Sequence, residues 1–590
     1  MKRENIEEVY KWDLEKFCKD KEELDGWKNS VENLLVEIKN LKGKLSTSFE
    51  ILLKALELKE EISRIGSNIY VYSHLRRDED HNNSDNQKIS LESDKLMNDI
   101  DEATSYIIPE ILSFEFNHIT QIFEEENLKK YHRYLEKIIR KKPHTLSEKE
   151  ENLLAMSGNM AQATENIFTS LSYSDLKFPK IKNKDGEKER LTHSNYGLFL
   201  RSKKRKVRKD AFEAMYDTHE KVKNTFGSCL IGNIHREIFF SKVRNYNSAL
   251  EASLFEDDIP VSVYDNLIES ITENISSLDL YMEYRKNIMG LEKLHMYDLY
   301  VPLNSKMDKK IPYEEAKRII LESLSPLGEE YTKILKTAFE ERWIDVYPNE
   351  GKRSGAYSWG SYDSQPYILM NYNDDINSLF TLAHELGHSI HSYYSRKNNP
   401  YIYSRYTIFV AEVASTFNEL MVLNYLLENT ESEEEKSYLI NYYLEQVRTT
   451  VFRQTMFAEF EKEVHARIED GKSLTSKDLE EIYYALNMKY YGNKCEVDER
   501  ISLEWARIPH FYSNFYVYKY ATGFCAANFL TEKVRENREN VDAYIEFLKG
   551  GGYDFPLEQL KKAGVNMEEK EVVLKTMNLF KERLEGMLMV

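Results

Sequence analysis

The run Leu379-Phe380-Thr381-Leu382-Ala383-His384-Glu385-Leu386-Gly387-His388-Ser389-Ile390-His391-Ser392-Tyr393-Tyr394 contains no proline and a single glycine, so it reads as uninterrupted helix. On a helix, residues i and i+4 lie on one face about one turn apart. His384 and His388 can therefore direct both imidazoles at one ion. Zinc accepts neutral imidazole nitrogen and keeps an open position when only three protein ligands bind. Glu385 is rotated about 100° from His384. It sits away from the coordination position but can reach a water at the ion, where it would act as general base. With 14 histidines and 100 acidic residues in 590, chance alone gives roughly 0.06 such matches, and the helical context lowers that further.

A third ligand is required. His391 lies seven residues after His384, about 10.5 Å along the axis, too far for one ion to take all three histidines from a straight helix. It reads as a packed neighbour. The next helical stretch, Phe409-Val410-Ala411-Glu412-Val413-Ala414-Ser415-Thr416-Phe417-Asn418-Glu419, offers a better candidate. Glu412 sits among small apolar residues, where an unpaired carboxylate is costly and a cation would relieve the cost. Glu419 falls seven residues on, along the same face, where it could hydrogen-bond a ligand histidine.

Outward from this centre, the chain reads as mainly helical. Its 12 prolines and 22 glycines are below average usage, and the first proline is Pro109. Ser147-Glu148-Lys149-Glu150 is a capping-box pattern ahead of Leu153 and Leu154. Two breaks interrupt the helices. The first, Leu176 to Thr192, carries Asp185-Gly186 between short strand candidates and predicts a hairpin. The second, Arg353 to Asn373, predicts a ribbon. In it Gly355, Ala356 and Tyr357, with the strand Ile368 to Tyr372, would bind substrate backbone through main-chain hydrogen bonds. Helix is expected throughout after Asp374, apart from Gly550-Gly551-Gly552. The expected division is an N-terminal helical lobe over 1–200, with the hairpin near its end, and a catalytic part over 201–590.

Composition excludes several classes. A net charge of −19 repels phosphate backbones, so nucleic acid is excluded as a partner. The basic run Lys203 to Lys209 is expected to be a solvated helix face. No run of 18 apolar residues marks a membrane span. Four scattered cysteines (Cys18, Cys229, Cys495, Cys525) suit a reducing, cytoplasmic compartment.

At HELGHSIHSYYS and FVAEVASTFNE the sequence resembles the M3 metallopeptidases, and among them the oligoendopeptidase F type. The resemblance extends to KRSGAYSWGSYD at Lys352 to Asp363, HMYDLYVP at His295 to Pro302, RIPHFYSNFYVYKYATG at Arg507 to Gly523 and GGGYDFPLEQLKKAGVN at Gly550 to Asn566. It implies a two-lobed helical zincin with a deep central channel and a small β-ribbon beside the active site. It implies one Zn2+ per chain with Glu412 as third ligand. The implied reaction is hydrolysis of internal bonds in short unstructured peptides, with water activated by zinc and Glu385. A helical zinc carboxypeptidase or peptidyl-dipeptidase is the alternative. The resemblance further implies that His510 and a tyrosine, Tyr518 or else Tyr512 or Tyr516, stabilise the transition state. Their neutral N–H and O–H groups suit the negative charge that builds on the former carbonyl oxygen.

Overall fold

The computed structural model of the chain describes residues 2–303 and 310–588. Most of them are helical, as the scarcity of proline and glycine predicts. By packing they form two compact units that interleave along the chain. The first comprises Met1–Glu148, Asp308–Tyr425 and Leu530–Gly564, the second Lys149–Met307, Leu426–Phe529 and Val565–Val590.

In the first unit, the proline-free N-terminal stretch forms the helices Lys21–Lys39, Phe49–Glu79 and Ser84–Thr104. Asp20, Ser48 and Asn83 cap them, each side chain accepting from an amide of the first turn. Such caps satisfy donors that the helix itself leaves open. Val31, Ile38, Leu52, Ile62, Ile69 and Leu75 are fully buried between these helices, each worth roughly 2 kcal/mol of transfer free energy. Tyr367 and Leu369 join the same core.

These two residues belong to a three-stranded sheet, not the two-strand ribbon expected. Tyr367–Leu369 lies in the middle. It pairs in parallel with Ile344–Asp345 and antiparallel with Tyr357–Trp359. Both its edges are therefore taken, so within the expected stretch Ile368 to Tyr372 the residues Ile368 and Leu369 cannot accept an added strand. The outer strands are Ile344–Asp345 and Tyr357–Trp359.

In the second unit, the predicted hairpin forms from Lys180–Lys182 and Lys188–Arg190, turning at Gly186, whose φ of +88° suits a residue without Cβ. The helix after the capping-box pattern begins at Glu148. Glu433–Gln446 runs without a break through a π-helical stretch, Val447–Phe452, into Arg453–Glu469. Continuous helix after Asp374 is not what forms at 495–517. Cys495–Glu496 pairs in parallel with Leu294–His295. Glu499–Arg507 and Pro509–Tyr512 are 3-10 turns, and Phe515 has a left-handed φ of 47°. Pro509 lacks the N–H that an α-helix would need there.

The basic run is only partly a solvated face. Lys206 is exposed, but Arg208 is 2% exposed and, with Arg205, pairs with the fully buried Asp298. All four cysteines are free and buried. Among the described residues, no helix is long and apolar enough to cross a membrane.

Candidate active site

The HELGH segment lies in the helix Ile376–Asn398, and Glu412 and Glu419 in the helix Ile408–Asn429, both within the first unit. Asp375 caps the first helix by accepting from the amide of Ser378 at 2.7 Å. The two helices meet at Gly387. A Cβ there would stand 2.5 Å from the carbonyl oxygen of Ala414 and 2.6 Å from Cα of Ser415, so only glycine allows this approach. Asn418 ties the contact by donating to the carbonyl of Ala383 at 3.2 Å and accepting from the Tyr331 hydroxyl at 2.8 Å.

This packing brings the carboxylates to the histidines. Nε2 of His384 lies 3.4 Å, and Nε2 of His388 3.8 Å, from Oε2 of Glu412. One ligand atom from each of the three residues falls within 4.8 Å of the others. Glu419 Oε1 accepts from Nδ1 of His384 at 2.6 Å. That contact keeps a proton on Nδ1 and makes Nε2 the nitrogen that faces Glu412.

The electrostatics favour a cation. Burial opposes charge on His384, but the hydrogen-bonded Glu419, with Glu385 and Glu412 beyond it, lifts its pKa to about 9. His388, buried beside His384, is pushed down to about 3 and stays neutral. Neutral imidazole is the form that binds a metal. Glu385 is 6% exposed, and its Oε2 is buried without a hydrogen-bond partner. Burial raises its pKa to about 7, the neighbouring His384 working against the rise and Glu412 with it. Two histidines and one carboxylate form a donor set that suits a tetrahedral divalent ion with one open position.

His391 takes no part. It is fully buried, stacked on Tyr406 with ring centroids 3.7 Å apart, and burial lowers its pKa to about 3. The outer strand Tyr357–Trp359 runs beside the HELGH helix, where the Ser358 hydroxyl lies 2.7 Å from that of Ser389. Gly355 and Ala356 precede this strand. The Tyr357 hydroxyl donates to Asp78 at 2.9 Å, so its side chain is tied into the fold.

His510 and the tyrosines lie in the second unit. Tyr518 is fully buried, its ring 5.2 Å from that of Tyr264, and Tyr512 stacks on Phe168 at 4.3 Å. Neither is brought to His510. Tyr520 is, with its hydroxyl 3.3 Å from Nε2 of His510, and Tyr516 packs edge-on against Tyr520 at 5.3 Å. Burial and the nearby Arg453 lower the His510 pKa. The sequence reading does not single out Tyr520. Its one available signal is the four-residue spacing from Tyr516. Ser358 and Asn418 are likewise missed: both lie in stretches that carry the family resemblance, but their contacts are tertiary and no spacing marks them.

Comparison with known proteins gives the family. The sequence profile described as Peptidase family M3 matches residues 198–579, and that described as Oligopeptidase F matches 110–178. The chain is 45% identical to "Oligopeptidase PepF" of Bacillus subtilis, covering 98% of this chain and 86% of that one. It is 41% identical to "Group B oligopeptidase PepB" of Streptococcus agalactiae, covering 99% and 97%. Among solved structures, one from Chlamydophila abortus superposes with a TM-score of 0.92 at 36% identity, covering 99% of each chain. That of oligoendopeptidase-F from Enterococcus faecium gives 0.74 at 38%, covering 96% and 98%. The chain therefore belongs to peptidase family M3, in its oligoendopeptidase F branch, and is a metalloendopeptidase.

Proposed function

We propose that the enzyme holds a single zinc ion on Nε2 of His384, Nε2 of His388 and a carboxylate oxygen of Glu412, and cleaves internal bonds of short, unstructured peptides. The carrying observation is the convergence of those three ligand atoms within 4.8 Å. Zinc would supply Lewis acidity to the water and to the scissile carbonyl. Glu385 would take the proton of the attacking water on its orphaned Oε2 and return it to the leaving amine. A carboxyl group near pH 7 in its pKa suits both transfers. Glu419 would hold the His384 ring in the metal-binding tautomer.

For donors to the developing oxyanion, we favour His510 with Tyr520 over His510 with Tyr518. Tyr518 is fully buried, whereas Tyr520 shares a hydrogen bond with His510. The substrate backbone would pair with the outer strand Tyr357–Trp359, entered through Gly355 and Ala356. Main-chain pairing is indifferent to side chains and suits broad specificity. The restriction to short peptides is supported by the "oligopeptidase" in the relatives' names. A division of the sequence at about residue 200 would fit the two family profiles, which match 110–178 and 198–579. Free, buried cysteines support residence in the cytoplasm.

The test uses three substrates: a stable globular domain, a peptide copied from one of its loops, and that peptide with an amidated C-terminus. Both peptides should be cut at internal bonds, and a chelator should abolish cutting. Cleavage of the folded domain at the same bond would overturn the size restriction, and failure on the amidated peptide would overturn internal cleavage. Glu385→Gln should keep its zinc and lose roughly 10²–10⁴-fold in kcat. Wild-type turnover in the zinc-loaded variant would overturn the role of Glu385.

A further inference from the structure

Inside the second unit lies a cavity of about 20 Å³ lined by Arg448, Arg453, Arg507, Glu504, Tyr196 and Tyr300, among others. Three guanidinium groups face it with a single lining carboxylate. Counting the next neighbours does not balance the charge. Arg453 and Arg507 share Glu504, and Arg448 and Arg285 share Glu445, so four cations divide two anions. Arg285 and Arg448 are 0% and 1% exposed and Glu504 is 3% exposed, while Arg453, Arg507 and Glu445 are 15%, 18% and 27% exposed. This imbalance is largely buried, in a chain whose overall charge is −19. Buried charge without a counter-charge is costly.

The guanidinium groups also keep donors in reserve. Arg448 spends Nε and Nη2 on Glu445 and the carbonyl of Leu299, leaving Nη1. Arg453 spends both terminal nitrogens on Glu504, leaving Nε. Arg507 spends Nε on the Tyr216 hydroxyl and Nη2 on Glu504, leaving Nη1. The backbone contributes to the clustering. Arg448 lies within the π-helical stretch Val447–Phe452, and Arg453 follows it directly. In an α-helix, residues five apart diverge by about 140°, whereas the i→i+5 pattern of a π-turn stacks them on one side.

A space of this size holds one water-sized body. A carboxylate or phosphate does not fit, and a water would leave the charge unbalanced. We propose that the cavity between Arg448, Arg453 and Arg507 is a binding site for one monoatomic anion of the size of chloride. This inference is independent of the peptidase reading. Its structural consequence is to hold the segment from Arg507 onward, three residues ahead of His510.

The test uses the zinc-loaded full chain. Crystals grown in bromide should show an anomalous peak inside this cavity. Thermal unfolding should shift upward in potassium chloride or bromide, relative to gluconate at equal ionic strength, saturably and by roughly 2 °C or more. Sulfate, too large for the cavity, should give no such saturable shift. Arg448→Gln should weaken the halide response tenfold or more. Bromide peaks confined to the surface, together with equal unfolding temperatures in chloride and gluconate, would overturn the proposal without recourse to any variant.

Discussion

Glu419 Oε1 stands 2.6 Å from Nδ1 of His384, two helical turns beyond Glu412 on the same helix face. One helix thus supplies both a candidate metal ligand and the group that orients another ligand. Loss of such an orienting partner typically weakens metal binding 10–100-fold. Glu419→Ala is expected to lower zinc affinity by that order, measured by competition with a chelator. Glu419→Gln keeps an acceptor without the charge and should fall between the two. Wild-type affinity in Glu419→Ala would mean that packing alone orients His384.

Gly387 sets the distance between the two helices. Its missing Cβ would meet backbone atoms of Ala414 and Ser415 at 2.5 and 2.6 Å, and backbone cannot rotate away as a side chain can. Gly387→Ala should therefore push the HELGH helix off the Glu412 helix. Overpacking of this kind costs about 1–3 kcal/mol, and it should appear both as a lower Tm without metal and as weaker zinc binding. A variant with a lowered Tm but unchanged zinc affinity would show that the ligand geometry does not depend on this contact.

His391 provides the converse case. It is as buried as any residue of the site but stacks on Tyr406. His391→Ala should keep its zinc through dialysis, whereas His388→Ala should lose it. The cost should appear instead in stability, about 2 kcal/mol for an emptied packed site. Loss of metal with no loss of stability would reverse the assignment.

The candidate metal site was legible in the sequence because much of its information is local. His384, Glu385 and His388 are placed by helical spacing, Glu412 by its position as a carboxylate among small apolar residues together with the family resemblance, and Glu419 by its seven-residue offset from Glu412. What lay outside that reach is set by tertiary contacts. Ile344–Asp345 is too short to carry a strand pattern, and it becomes a strand only by pairing with Tyr367–Leu369. That pairing buried the edge expected for substrate. In the aromatic run Phe515 to Tyr520, period and composition do not tell core from surface. The left-handed φ at Phe515 resets the phase just before the helix starts at Tyr518, turning Tyr518 inward and leaving Tyr520 beside His510. The basic run fails for a similar reason. Its charges look solvated until Asp298, some 90 residues later, draws Arg205 and Arg208 to a buried partner.

The last expectation concerns acid stability. Glu445 accepts from Nε and Nη2 of Arg448, from Nη1 of Arg285 and from the hydroxyl of Tyr281. Burial alone would raise its pKa, but the two guanidinium groups outweigh burial and bring it down from 4.5 to about 2. A carboxyl group whose folded pKa lies below its unfolded value binds fewer protons when folded. Its contribution is complete above about pH 4.5 and is lost as pH falls through about 2. A shift of this size corresponds to about 3 kcal/mol. Glu445→Gln removes that contribution and leaves Arg285 and Arg448 buried beside a neutral amide, a loss of about 3–5 kcal/mol near neutrality. Between pH 7 and pH 5 the two stability curves should run parallel. Below about pH 4.5 the wild-type curve should fall more steeply, narrowing the gap. The measurement is denaturant unfolding at closely spaced pH values for both proteins. A gap that stays constant down to the acid transition would mean that Glu445 is protonated no more easily in the unfolded chain than in the folded one.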